Sequence, residues 1–369
     1  MKNLRAIAVA TLAATVSASV LAEGSTSVYG LLDIYAARFK GTPGGVNAGN
    51  QNTTRIESGG LTTSRFGIHG SEDLGGGLTA AFELSAFIRL DTGAVGRSDA
   101  IGAIAADPFW SRESSLSLTS SSLGRIRGGN FATPMFEQSL GASAFAASNV
   151  FAPINVLTFI GSALSGGTGW SNQLAYDSPQ WGGVVLTAAV SASEGQGGHN
   201  AGARAAWSEG PVAVSLAWQG VKKDPLTFAD GTSPNNTRAW QLIGSYDFKS
   251  VKLFAHLGQI QNDGTELARQ HVRYTILGAS ATVPLNERSS LMLAYGRRST
   301  NDAVLPVAAT AVGGNMRRKV ATVGYDYFLS KRTDVYAVLM RDKTVTNTLP
   351  GQLLGARATN FGLGFRDRF

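Results

Sequence analysis

Read with a period of two, the last eleven residues of the chain sort onto two faces. Phe361, Leu363, Phe365 and Phe369 fall on one; Asn360, Gly362, Gly364, Arg366 and Arg368 fall on the other. The same rhythm is clearest between Leu78 and Arg89. There Leu78, Ala80, Phe82, Leu84, Ala86 and Ile88 alternate with Thr79, Ala81, Glu83, Ser85, Phe87 and Arg89. Alternation of this kind predicts a β-strand with one face in apolar surroundings. A first strand is predicted over Ser27 to Ala37, with Val28, Gly30, Leu32, Ile34 and Ala36 on the apolar face and Leu31 as an exception to it. A polar loop is expected from Lys40 to Gly60. A strand follows over Ser64 to Gly70, with Phe66 and Ile68 opposite Arg65 and His69.

Short turns recur at 71–77, 119–123, 179–183, 208–211, 247–250, 283–288 and 329–332. Between them lie longer polar or Gly-rich segments near 92–110, 132–168, 194–199, 223–236, 262–269, 300–315 and 344–356. Short and long connections therefore alternate along the whole chain. With the loop after the first strand, they predict sixteen strands and place both termini on the short-turn side. Strands of about ten residues joined by alternating short turns and long loops are the pattern of an outer-membrane antiparallel barrel. Trp110, Trp181, Trp207, Trp218, Trp240, Tyr325, Tyr327 and Phe328 fall near strand ends, where aromatic girdles form. A strand that runs to the last residue also fits closure, because an open edge in lipid leaves backbone groups without partners.

Composition narrows this further. The chain has 45 Gly and 17 Phe, only 15% charged residues and a mean hydropathy near zero, which suits a protein with one face in lipid and the other in water. There is no Cys, so no disulfide framework holds the fold. Residues 1–22 read as a secretory signal peptide: Lys2 and Arg5, an apolar run from Ala6 to Val20, then small residues ending at Ala22. That run, diluted by Thr and Ser, is too short for a membrane-spanning helix of about 20 apolar residues. Residues 23–369 then form one barrel domain. The remaining basic surplus is dispersed, which does not indicate nucleic-acid binding.

Several stretches carry a family resemblance. They are Ser25 to Asp33, Ser64 to Leu78 with its Ser-Arg-Phe-Gly and Gly-Ser-Glu-Asp-Leu-Gly runs, Tyr176 to Gly183, Tyr325 to Asp334, and the closing Gly364 to Phe369. In these the chain resembles the Gram-negative general diffusion porins, in particular the proteobacterial group of Burkholderia, Bordetella, Comamonas and Neisseria. The resemblance implies an all-β, 16-stranded transmembrane barrel with short periplasmic turns, long extracellular loops and a third loop folded inward to narrow the pore. It implies a homotrimer in outer-membrane lipid and lipopolysaccharide, passive diffusion of small hydrophilic solutes and ions, and no cofactor. It also implies that the terminal aromatic strand ending at Phe369 is what the outer-membrane assembly machinery recognises.

The constriction of such a pore sets arginines on one wall against carboxylates on loop three. Arg65 sits at the family's pore-arginine position and points inward by parity, opposite Phe66 and Ile68. The next family arginine is replaced by Asn130, and a further basic position by Ala175. Arg125 and Arg127 flank apolar Ile126 and so face the lumen, as Glu83 and Arg89 do by parity. Loop three departs most: Glu137 is its one charged residue, and the family's acidic stretch gives way to apolar Phe151 to Ile160. A weak anion preference follows, unless the arginines pair with Glu83, Glu113 or other wall carboxylates. The apolar loop three also leaves open a channel that favours particular solutes. An adhesive or enzymatic barrel is a third class. There is no G-x-S-x-G, H-E-x-x-H or P-loop motif, and His69, His199, His256 and His271 are scattered without ligand spacing.

Overall fold

Backbone pairing carries the chain through one continuous ring. The computed structural model describes residues 24–41, 51–96, 108–146, 148–159, 165, 167–194, 198–222, 236–264, 269–307, 310–348 and 352–369. The expected signal peptide, residues 1–22, lies outside the described residues. Seventeen antiparallel segments follow: β1 (Ser25–Gly41), β2 (Gln51–Ser58), β3 (Arg65–Gly75), β4 (Leu78–Phe87), β5 (Glu113–Ser120), β6 (Gly124–Ala132), β7 (Gly169–Asp177), β8 (Val184–Ser191), β9 (Asn200–Glu209), β10 (Val212–Val221), β11 (Thr237–Asp247), β12 (Lys252–Gly264), β13 (Arg269–Asn286), β14 (Ser289–Val307), β15 (Thr310–Phe328), β16 (Thr333–Thr348) and β17 (Gln352–Arg368). Each pairs with its neighbours, and β1 pairs with β17 to close the ring.

The ring has sixteen staves, because β2 and β3 share one. β1 pairs with β2 over Ile34 to Gly41 and with β3 over Ser25 to Leu31. The predicted loop from Lys40 to Gly60 is therefore too long, since its second half is strand. The break between the two pieces is held by Asp33. Its buried carboxylate accepts hydrogen bonds from the backbone N–H groups of Gly60, Leu61 and Thr62 and from the Tyr336 hydroxyl. Backbone that leaves the ladder must find other partners. One side chain supplies them here.

The tall side of the barrel also differs from the sequence reading. The segments expected as loops at 300–315 and 344–356 are largely strand, for β14–β15 and β16–β17 run on as paired ribbons. Backbone pairing, and not a period-two apolar face, defines these ribbons. The seven short turns fall where the pattern sets them.

Parity separates two surfaces. Leu116, Leu118, Ile126, Leu174, Leu186, Leu216, Leu293 and Leu363 stand exposed on the outside, as a lipid-facing wall requires. The alternate positions turn inward and are polar or small over much of the wall. The last residue takes part in closure. Gly30 and Phe369 exchange two backbone hydrogen bonds, of 3.0 and 3.1 Å, and the far end of the Phe369 ring lies against Gly30, where any side chain would collide with it.

Candidate pore constriction

Between β6 and β7 the chain turns into the barrel instead of over it. Thr133 starts the arm. Its hydroxyl accepts from the N–H of Phe136 at 3.1 Å, and Pro134 follows at the first helical position, so a single turn and a half forms as α1 (Pro134–Ser139). Pro134, Met135, Gln138 and Ser139 are buried toward β9, β10 and β11, which leaves Phe136, Glu137 and Leu140 on the lumen side. Gln138 fixes this end, donating to the Gln241 carbonyl at 3.0 Å and accepting from the Ser215 hydroxyl at 2.8 Å.

The arm then runs along the inner wall. The Ala142 carbonyl lies 2.5 Å from Nε2 of His256 on β12. The N–H of Ala144 donates to Ser280 on β13 at 3.1 Å. The hydroxyl of Ser148 reaches the Gly60 carbonyl at 2.7 Å, which ties the tip to the break in the second stave. The chain returns through α2 (Pro153–Thr158), all of whose residues are buried, against β13, β14 and β15. The last carbonyls of a helix lack internal partners. Here Arg298 donates to Leu157 O at 2.9 Å and Arg318 to Val156 O at 3.5 Å, while Arg318 also forms a 2.7 Å ion pair with Asp342.

Close approach to the wall depends on glycines that face each other across the ladder. Gly278 pairs directly with Gly296, and Val338 of β16 pairs with both Gly324 and Gly362. A Cβ at Gly296 would lie 2.7 Å from Leu157 and 3.2 Å from Pro153. A Cβ at Gly362 would lie 2.9 Å from the Phe151 ring. With Tyr35, Met292, Val320 and Met340, the apolar side of the arm makes the main buried core of the molecule. It lies inside the barrel, where a water-filled lumen would otherwise be. His256, one of four scattered histidines, serves this docking. Among the described residues, no group of three acidic, His or Cys side chains is placed to hold a metal.

The arm covers the wall from β9 round to β1. On the arc from β3 to β7 the arm reaches Arg127 of β6 through Glu137, and the aperture lies between that arc and the arm. Arg65 stands on β3 opposite Phe87, next to Leu31, which also faces Arg368 on the far side of β1. Among the described residues Arg65 has no carboxylate partner, and its one hydrogen bond goes to the Thr63 carbonyl at 3.4 Å. Arg89 lies just past the end of β4, without an ion pair among the described residues. Glu83 accepts from the Tyr29 hydroxyl and lies 4.0 Å from Arg112.

Arg125 and Arg127 are engaged differently. Arg125 binds Asp177 through two nitrogens, at 3.0 and 2.6 Å. Arg127 is nearly buried over the Phe131 ring and holds Glu137 at 2.5 Å and Glu113 at 3.4 Å. Arg204 on β9 approaches Glu137 from the other side at 3.5 Å. The single acid of loop three is thus held between two guanidinium groups. Asn130 is turned to the backbone and donates to the Ser111 carbonyl at 3.0 Å. Arg112 and Arg204 did not enter the sequence reading. Arg204 could have been found, since Ala203 and Ala205 beside it are exposed outward. Arg112 could not, because it precedes β5 and strand parity does not apply there.

A closed barrel with an apolar exterior and a charged, water-accessible aperture defines a channel-forming protein of the outer membrane. A family model for Gram-negative porins matches residues 8–347, and the chain belongs to that family. It is an outer-membrane channel for passive diffusion of small hydrophilic solutes. The chain is 24% identical to an outer membrane porin protein of Bordetella pertussis, over 98% of each chain. It is 26% identical to outer membrane porin protein 32 of Delftia acidovorans, over 90% of this chain and 87% of that one. Among solved structures it is similar to an anion-selective porin from Comamonas acidovorans. There the TM-score is 0.73 at 22% identity, with 94% of this chain and all of that one covered.

Proposed function

We propose that the channel passes small hydrophilic ions with a weak preference for anions. The carrying observation is Arg65, a guanidinium on β3 with no carboxylate partner among the described residues, in a gap whose loop-three acid, Glu137, is held by Arg127 and Arg204. Wall charges beside a narrow water-filled gap set ion preference. Pairing weakens Arg125 and Arg127 as sources of field, which keeps the preference modest. The anion selectivity of the similar Comamonas porin supports the same sign.

Removing one such charge should be measurable. A unit charge 4 Å from an ion in water is worth about 1 kcal/mol. In a planar bilayer under a KCl gradient, Arg65→Ala should lower the chloride-over-potassium permeability ratio by about fivefold. An unchanged reversal potential would remove Arg65 from the constriction.

The same reading includes export by a signal peptide at residues 1–22 and a mature barrel over 23–369. It includes a homotrimer in contact with lipopolysaccharide, and assembly through the outer-membrane machinery with Phe369 as the terminal signal. No catalytic role, cofactor or nucleic-acid partner is assigned. Deleting Phe369 should reduce the yield of folded barrel sharply while leaving the conductance of the surviving channels unchanged, because the residue closes the seam and its half-exposed ring covers Gly30, whose parity with Val28 sets it on the outer face of the wall. Wild-type yield of heat-modifiable protein in the deletion strain would contradict this.

A further inference from the structure

We infer that the aperture favours amphiphilic carboxylates, solutes with one anionic head and a flat apolar body. This rests on the anion preference proposed above and names the solute class that the same gap suits. The two sides of the gap differ in kind. The arc from β3 to β7 presents cations: among the described residues Arg65 has no acid partner, and Arg112 meets Ser85 at 3.2 Å and Glu83 at 4.0 Å. The arm facing it presents carbon. On α1 the lumen-side positions are Phe136, Glu137 and Leu140, and Glu137 is taken by Arg127 and Arg204. Leu140 is 41% exposed although it lies inside the barrel. Ala144 and Val150 continue the apolar surface toward the tip at Ser148, which is tied to Gly60, close in sequence to Arg65.

This surface is held in place. Phe136 packs edge-on against Phe159 with ring centroids 5.2 Å apart, and the back of the arm is fixed by Gln138, Ser148, Arg298 and Arg318. Exposed apolar groups in a water-filled passage gain by covering one another. A ring or short alkyl body laid on Leu140 and Phe136 keeps its carboxylate on the Arg65 side. A polar body of the same size gains nothing from the arm. Contact of this kind is weak enough for the solute to leave again, which conduction requires.

The test is electrical. Bi-ionic reversal potentials against chloride are measured for benzoate and for shikimate, two six-membered-ring monocarboxylates of similar size, one a flat apolar arene and the other a puckered, trihydroxylated cyclohexene. The wild-type channel should favour benzoate by about two- to tenfold, the range an aromatic contact confers. Leu140→Ser should remove most of that difference, and Ala144→Ser, on the same rail, should reduce it. Both positions have solvent-accessible side chains, so both variants should fold. A channel that selects chloride over potassium yet passes benzoate and shikimate equally would overturn this inference alone. So would a benzoate advantage that survives Leu140→Ser. A channel without chloride selectivity would instead overturn the reading beneath it.

Discussion

Asp33→Ala should destabilise the barrel by at least about 3 kcal/mol, because it strips a buried acceptor from several donors at once. The carboxylate is fully buried. Its Oδ1 accepts from Gly60 N at 3.1 Å and from the Tyr336 hydroxyl at 2.6 Å. Its Oδ2 accepts from Leu61 N at 2.9 Å and Thr62 N at 2.7 Å. A buried donor left without a partner costs about 1–3 kcal/mol, and three backbone N–H groups are orphaned together. The damage should also spread: Gly60 is where Ser148 anchors the tip of the arm. The temperature at which the folded electrophoretic form converts to the unfolded one measures the loss. Asp33→Asn keeps one acceptor oxygen and should fall between the two. Equal thermal stability of Asp33→Ala and the parent would show that the break in the second stave does not depend on this carboxylate.

Gly296→Leu should lower single-channel conductance substantially and make the current noisier. The wall position has room for hydrogen alone, with Leu157 and Pro153 of α2 pressed against it. A four-carbon side chain there must displace the helix toward the lumen. Overpacking of this kind costs about 1–3 kcal/mol. It would also draw Val156 O and Leu157 O away from Arg318 and Arg298, loosening the remaining ties. Gly296→Ala is the graded control, since the terminal methyl of Leu157 can rotate away from one added carbon. Parent-like conductance in Gly296→Leu would mean that α2 does not border the aperture.

Much of the barrel was legible because its rule is local. Period two along β4 or β17 follows from lipid on one side and water on the other, and most of the short turns carry Gly, Pro or Asp. The rule fails where the alternation lapses while the ladder runs on. The upper ribbons of β14 to β17 carry Gly and Pro and no regular period-two alternation, so their sequence looks like loop. It fails again at 59–64, where strand gives way to a break held by Asp33, a residue from another stave. For the aperture, parity pointed Arg65, Arg125 and Arg127 inward, but it could not show who meets whom. Glu137 finds Arg204 only after the arm has crossed to β9. The course of the arm was the least legible part. It depends on Gly278, Gly296, Gly324 and Gly362, four ordinary glycines until the ladder sets them against the arm.

The seam at Gly30 and Phe369 has a kinetic meaning. Its partners are separated by nearly the whole chain, and contacts so distant in sequence form slowly, since the entropy of closing the longest loop opposes them. Every other stave can zip onto the one before it. The first and last must wait until every stave between them is in place, and until then β1 remains an open template for any passing strand. An assembling barrel is therefore at greatest risk of wrong pairing just before its final stave is in place. The time spent in that state, more than the strength of any one contact, should govern how much channel a cell obtains from a given amount of message.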